Sequence, residues 1–227
     1  APGHKMVRTL EDGTPACKLI AWEVTRSCNL ACKHCRAEAH PEPYPGEFST
    51  EEAKALIDTF PQVGNPIIIF TGGDPMMRPD VYELVAYAHN KGLTCAFSPN
   101  GTLITPEMAR TIKDHGIGYV GISIDGDPAV NDAFRGVEGA YSRALAGIRN
   151  CRAVGQRVGL RFTINRSNAA SVATVMDLLE HEDIDRICFY HLVYSGRGAA
   201  IQEEDLTAQE TRAVVDLIVD RVLDFER

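Results

Sequence analysis

Short apolar runs and longer amphipathic stretches succeed one another along this chain, so the hydrophobic pattern keeps switching from a strand period to a helix period. Lys18 to Thr25 is the first apolar run. Three prolines in His40-Pro41-Glu42-Pro43-Tyr44-Pro45-Gly46 then forbid helix, and Ser49-Thr50-Glu51-Glu52 carries the capping signal for a helix to about Val63. Pro66 to Phe70 reads as a fully buried strand, Pro79-Asp80 opens a helix to about Lys91, and Gly92 stops it. Leu93 to Ser98 is a strand, followed by a helix with Thr105 as N-cap and Pro106 at its first position. Tyr119 to Ile124 is a strand, followed by an irregular stretch and a helix from about Ala140 to Val154. Arg157 to Ile164 and Arg186 to Val193 are strands around a helix from Asn168 to Glu180, and Thr207 to Phe225 is a final amphipathic helix.

Six βα units in succession call for right-handed crossovers and an all-parallel sheet. An open, partial (β/α)6 barrel suits this length better than a closed eight-unit barrel, which takes ~250 residues. An open sheet with two switch points is the competing topology. In both, the functional loops follow the carboxyl ends of the strands. Residues 1–17 read as an irregular N-terminal arm and 18–227 as one core domain.

Charge narrows the partners. Thirty-one acidic against 23 basic residues give a net charge of -8, which disfavours non-specific attraction to nucleic acid or anionic lipid. No apolar run reaches the ~20 residues that span a bilayer, and the N-terminus has no basic segment followed by an apolar one. A cytoplasmic protein acting on a small molecule is expected, with no nucleic acid and no membrane as partner.

Seven cysteines argue against a disulfide framework. Cys17, Cys95, Cys151 and Cys188 are scattered singly and read as small buried hydrophobes. Cys28, Cys32 and Cys35 are different, because spacings of three and two residues in one loop let three thiolates converge on one inorganic centre. A 4Fe-4S cube held this way keeps one iron without a protein ligand, open to a small molecule. Zinc with His34 or His40 as fourth ligand is the alternative, and a Cys32/Cys35 redox pair is another.

The triplet Cys28, Cys32, Cys35 resembles the signature of the radical S-adenosylmethionine (SAM) enzymes. The resemblance implies a partial barrel, a 4Fe-4S cluster, SAM chelated at the open iron, and reductive cleavage to a 5'-deoxyadenosyl radical that abstracts a substrate hydrogen. It also implies an electron donor of the reduced flavodoxin or ferredoxin type. His34 stands where many members have Tyr or Phe near the adenine, and its flat ring can serve there.

The strand-end loops supply further candidates. In Thr71-Gly72-Gly73-Asp74-Pro75, two glycines admit close backbone approach and a carboxylate can meet an amine, although Asp74 can equally initiate a helix. The run is similar to the family's Gly-Gly-Glu-Pro element at the SAM ammonium, with Asp74 one methylene shorter. Ser98-Pro99-Asn100-Gly101-Thr102 is a turn by composition, and the resemblance implies that Ser98 and Asn100 lie close to SAM. Ser123 and Asp125 share a strand face and can hold ribose hydroxyls, unless Asp125 caps the next segment. Arg161, Thr163 and Asn165 share another face, which needs a polar ligand if it is interior and nothing if it is solvent. The resemblance places Arg161 near the SAM carboxylate and Asn165 near its sugar, and adds Val193 on the sixth strand to the cofactor set.

Asn131-Asp132-Ala133-Phe134-Arg135-Gly136 and the run from Cys188 to Gly198 resemble the tetrapyrrole-modifying branch, the heme-pathway decarboxylases and the nitrite-reductase heme enzyme. For that branch Arg135, His191 and Arg197 are candidate counter-charges for substrate carboxylates. Its cysteine-rich C-terminal extension has no counterpart before Arg227, so a fragment or a short relative is expected. A peptide-modifying radical SAM enzyme is the nearest alternative, and an iron-sulfur or zinc scaffold or electron-transfer module is the alternative from another class.

Overall fold

Six parallel strands, β1 (Leu19–Thr25), β2 (Ile67–Gly72), β3 (Thr94–Phe97), β4 (Tyr119–Ser123), β5 (Val158–Ile164) and β6 (Ile187–His191), pair in the order in which they occur in the sequence. The structure is a computed structural model describing residues 9–225; residues 1–8 of the expected arm, and 226 and 227 at the end of the expected core domain, lie outside the described residues. The strictly sequential order contains no reversal, so the doubly wound alternative does not apply. β1 and β6 are the two edges, and the sheet is an open, partial (β/α)6 barrel. Of the arm, Thr9 bridges Pro15 and the Cys17 amide donates to the Val63 carbonyl at 2.7 Å.

Helices α1 (Thr50–Ile57), α2 (Val81–Asn90), α3 (Pro106–Asp114), α4 (Pro128–Arg135), α5 (Ala140–Ala153), α6 (Val172–His181) and α7 (Ala208–Phe225) follow the strands in turn. The expected caps are formed: Ser49 and Glu52 make a reciprocal capping box on α1, and the Thr105 hydroxyl accepts from the Met108 amide at 3.2 Å. α1 is shorter than the pattern suggests, because Pro61 lies in a separate 3-10 turn over Phe60–Val63.

The larger correction is α4, which stands where an irregular stretch was expected. Asp127 accepts from the Val130 amide at 3.2 Å, Pro128 fills the first position, and Gly136 terminates the helix at φ 71°. These are ordinary start and stop signals. α4 delivers Phe134 and Arg135 to the carboxyl end of the sheet.

Alternation along the strands decides where the core lies. Ile68, Phe70, Phe97, Ile122, Leu160 and Phe162 are fully buried against the helices, where Ile57, Leu84, Ile112 and Ile148 meet them. Each such side chain contributes roughly 1.5–3 kcal/mol. The opposite, concave face carries mostly small or polar residues in register: Ala21 and Ala96 on either side of Ile69, Gly121 opposite Gly159, and Ser123 opposite Arg161. With little volume offered from that face, the barrel interior stays open. No helix among the described residues is long and apolar enough to cross a membrane.

Candidate active site

A cavity of about 390 Å³ opens at the carboxyl ends of the strands, and Cys28, Cys32 and Cys35 all line it. This volume is in the range of small-molecule sites. The cysteine loop that forms one wall is held from three directions. From the β2 side, the Gly73 and Asp74 amides donate to the Thr25 and Ser27 carbonyls at 2.9 and 2.8 Å. From α4, the Arg135 and Phe134 carbonyls accept from Ala31 and Lys33 at 3.1 and 2.9 Å. From the segment after β6, Arg197 donates through its amide to the Cys35 carbonyl at 3.0 Å, through Nε to Cys32 at 2.8 Å and through Nη1 to Ala39 at 2.8 Å. Glycine makes the approach possible where backbones meet. A Cβ on Gly136 would come to 2.6 Å from the Ala31 carbonyl oxygen, and one on Gly196 would collide with the Cys35 and Arg36 carbonyl oxygens.

Each sulfur has an N–H donor. Leu30 and Ala39 amides face Cys28 and Cys35 at 3.4 Å, the Asn100 side-chain amide faces Cys28 at 3.7 Å, and Arg135 Nη1 faces Cys32 at 3.6 Å. All three are free thiols. Burial pushes Cys28 up to about 11 and also raises Cys32, against the opposing pull of these donors. Donors that cost the neutral thiol little and favour the thiolate suit a ligand set for a metal-sulfur cluster. No group of three or more His, Cys, Asp or Glu among the described residues is arranged around a single ion.

His34 lies flat against Phe134, with ring centroids 4.2 Å apart and planes at 4°. Burial lowers its pKa to about 4, with the nearby guanidiniums of Arg135 and Arg197 adding to the effect and Asp125, 3.9 Å away, opposing it. The ring is therefore neutral at pH 7, and it lines the cavity.

Gly72, Gly73, Ser98, Asn100, Ser123, Arg161, Thr163 and Val193 also line the cavity, as do Arg135, His191 and Arg197. Three predicted cofactor contacts do not. Asp74 is fully buried behind the loop, where its two oxygens accept from the Met76 and Asn100 amides at 2.8 and 2.7 Å. Burial raises its pKa to about 6 against the pull of those two amides. Asp125 is fully buried as well, accepting from the Thr163 amide at 2.7 Å and pairing with Arg135. Asn165 is buried with its oxygen taken by the Ser167 amide at 2.8 Å, while its Nδ2 has no acceptor among the described residues.

Arg135 and Arg197 line the cavity but are already engaged. Burial would pull the Arg135 pKa down, and Asp125 together with Cys32 more than reverses it, so this guanidinium is a fixed internal charge. Arg197 spends Nε and Nη1 on loop carbonyls. Both side chains thus build the wall, while Arg135 Nε and Arg197 Nη2 keep no hydrogen-bond partner among the described residues. Arg36, also at the cavity, pairs with Glu23 at 2.6 Å.

Sequence reasoning did not single out Asn29, Thr102 or Phe134. Asn29 accepts from Asn100 Nδ2 and donates to the Thr102 hydroxyl, both at 2.8 Å, and Thr102 returns two bonds to Asn100 Oδ1. The Asn-Gly-Thr turn was a visible signal for Thr102, and the start and stop signals of α4 were one for Phe134.

Residues 22–179 match the family model of the radical SAM superfamily. The AdoMet-dependent heme synthase of Nitratidesulfovibrio vulgaris is 58% identical over 94% of this chain and 58% of its own length. The Fe-coproporphyrin III synthase of Methanosarcina barkeri is 52% identical over 97% of this chain and 54% of its own. Among solved structures, Streptococcus suis SuiB bound to S-adenosylmethionine superposes with a TM-score of 0.77 at 14% identity, covering 93% of this chain and 49% of that one. The chain thus spans little more than half the length of these curated relatives, and the SuiB likeness speaks for the fold alone.

Proposed function

The chain belongs to the radical SAM superfamily, and on that premise we propose that it is the core of an enzyme that generates a substrate radical on a tetrapyrrole side chain. Cys28, Cys32 and Cys35 would hold a 4Fe-4S cluster, since all three are free, face one cavity and carry N–H donors. When cluster and SAM are bound, the pair supplies a 5'-deoxyadenosyl radical able to abstract hydrogen from an unactivated carbon.

The chain's own residues do the rest. The backbone at Gly72 and Gly73, the hydroxyls of Ser98, Ser123 and Thr163, and Val193 form the wall available to SAM, with His34 as a flat neutral surface. Asp74, Asp125 and Asn165 act one step back. Asp74 holds the Asn100 turn, Asp125 anchors Arg135 and the Thr163 amide, and Asn165 shapes the turn after β5. An electron donor of the flavodoxin or ferredoxin type fits a site that must be reduced before each turnover.

The observation that carries the tetrapyrrole reading is the 58% identity to a heme synthase across nearly the whole chain. The reaction class is removal of carbon dioxide or a carbon fragment from a propionate or acetate side chain after hydrogen abstraction, with the electron released on decarboxylation passed to an external one-electron acceptor. The test is anaerobic reconstitution with iron and sulfide, then dithionite and SAM, with and without iron coproporphyrin III. Formation of 5'-deoxyadenosine and a SAM-independent Soret shift are expected. A protein that forms 5'-deoxyadenosine, shifts no porphyrin Soret band and modifies a peptide library instead would be a peptide-modifying enzyme.

A further inference from the structure

Four arginines line the cavity, Arg36, Arg135, Arg161 and Arg197. Arg36 is paired to Glu23, Arg135 to Asp125 and Cys32, and Arg197 to two backbone carbonyls. Among the described residues Arg161 alone of the four has neither an ion-pair partner nor a hydrogen-bond partner for its side chain. A cation that lines a partly enclosed cavity without a counter-charge is a binding group in search of an anion.

Its placement separates it from the cysteine loop. Arg161 is in register with Ser123, the last residue of β4, and its side chain runs back along β4 towards the interior rather than out towards the loops. The guanidinium lies across the backbone at Gly121, where a Cβ would stand 2.7 Å from Nε and 2.8 Å from Cζ. Gly159, in register with Gly121, in turn makes room for the Tyr119 hydroxyl. The glycine pair therefore lets two large side chains lie along the wall and keeps the space above them free. Cys188, in register with Arg161, and Tyr190, in register with Thr163, continue this wall on β6, and Tyr190 lies near enough to feel the guanidinium charge.

We infer that Arg161 is the specificity-determining residue of the barrel interior, taking one carboxylate of the substrate. The inference rests on the tetrapyrrole reading and deepens it: of the side-chain carboxylates on a polyanionic macrocycle, one is drawn down into the barrel by Arg161, which fixes which side chain faces the cysteine loop. It also moves the substrate charge away from Arg135 and Arg197, and it moves Arg161 away from the SAM carboxylate.

The experiment compares wild-type, Arg161→Gln, Arg161→Lys and Gly121→Ala proteins, each reconstituted anaerobically. Binding of iron coproporphyrin III and of its tetramethyl ester is followed at the Soret band, and SAM affinity is measured in parallel. Loss of a charge-assisted pair should weaken binding of the acid by roughly 10- to 100-fold in Arg161→Gln, with a smaller loss in Arg161→Lys. The loss should be at least about tenfold larger than any change in SAM affinity, and the ester, which offers no anion, should register little of it. Gly121→Ala keeps the charge but displaces the guanidinium, so it should reproduce part of the loss even if Arg161→Gln folds poorly. Equal binding of the acid to wild-type and Arg161→Gln proteins overturns the assignment while leaving the tetrapyrrole reading intact. A larger loss of SAM affinity than of porphyrin affinity overturns it in favour of SAM. A wild-type protein that binds no porphyrin removes the tetrapyrrole reading and this inference with it.

Discussion

Arg135, at the end of α4, forms an ion pair through Nη2 with Asp125, just beyond β4, while its Nη1 rests 3.6 Å from the Cys32 sulfur. Both partners are almost wholly shielded, at 9% and 0% side-chain exposure. A buried pair that loses one member leaves a bare charge in a low-dielectric site, at a cost of about 3–5 kcal/mol. Arg135→Ala is therefore expected to lower unfolding free energy by that amount in denaturant titration, and Asp125→Ala to do the same. The double variant should lose much less than the sum of the two, because no unpaired charge remains. Strict additivity would show that the two side chains do not depend on each other.

Asp74 yields a prediction about pH. Its folded pKa of about 6 exceeds the ordinary aspartate value because burial penalises the anion. A carboxyl whose pKa is higher folded than unfolded stabilises the fold most when protonated. The contribution is complete below pH ~4, declines as pH rises, and is gone above ~6, an amplitude on the order of 3 kcal/mol. A carbon-detected NMR titration of Asp74 should show a midpoint near 6. A midpoint below ~4 would mean that the two amide donors outweigh burial.

Asp74→Ala removes the acceptor for two backbone amides, those of Met76 and Asn100, at roughly 1–3 kcal/mol each. Because the Asn100 side chain faces Cys28, the loosened turn is expected to reduce iron retention as well as SAM affinity. Iron content by colorimetric assay after desalting reads this directly. Full iron with weakened SAM binding would return Asp74 to direct ligand contact.

The contrast between Asp74 and the strands shows what the sequence makes legible. The continuous apolar run Pro66 to Phe70 declares a strand, but not its expected full burial: Ile68 and Phe70 are buried, whereas Ile67 is 44% exposed and Ile69 is half-buried at the open barrel interior. The Cys28, Cys32, Cys35 spacing is equally plain, since three ligands to one centre must lie close along the chain. Whether Asp74 points into the cavity or behind it depends on the turn that carries it, which no local pattern encodes. Arg135 and Arg197 are harder still, because their partners around Cys32 lie 103 and 165 residues away. Only the folded sheet, which gathers the loops after its strands at one end, brings those segments together. α4 was legible in principle, through Asp127, Pro128 and Gly136, but eight residues give a helical period little room to show.

Replacing Cys28, Cys32 or Cys35 singly with alanine should abolish the visible absorbance of the reconstituted cluster and the formation of 5'-deoxyadenosine. Cys95→Ala and Cys151→Ala should keep both, because those thiols are buried in the hydrophobic core away from the cavity. Retention of the cluster in any of the first three variants would remove that cysteine from the ligand set.

Arg197 braces the cysteine loop. Its amide, Nε and Nη1 together hold the carbonyls of Cys35, Cys32 and Ala39, three points of the loop that presents the thiols. Arg197→Gln keeps the backbone bond and loses the two from the guanidinium, worth roughly 1.5–3 kcal/mol each as charge-assisted bonds. The reconstituted cluster should therefore bleach faster in the presence of a chelator, while porphyrin affinity changes less than it does in Arg161→Gln. Gly196→Ala provides an independent check on the same contact. Gly196 sits at φ 57°, and an added Cβ would collide with two backbone oxygens of the loop, neither of which is a flexible side chain that could swing away. If both variants hold the cluster as long as the wild type and Arg197→Gln instead loses porphyrin binding, the guanidinium serves the substrate after all. Cluster loss in both would tie loop rigidity to the contact with the segment after β6.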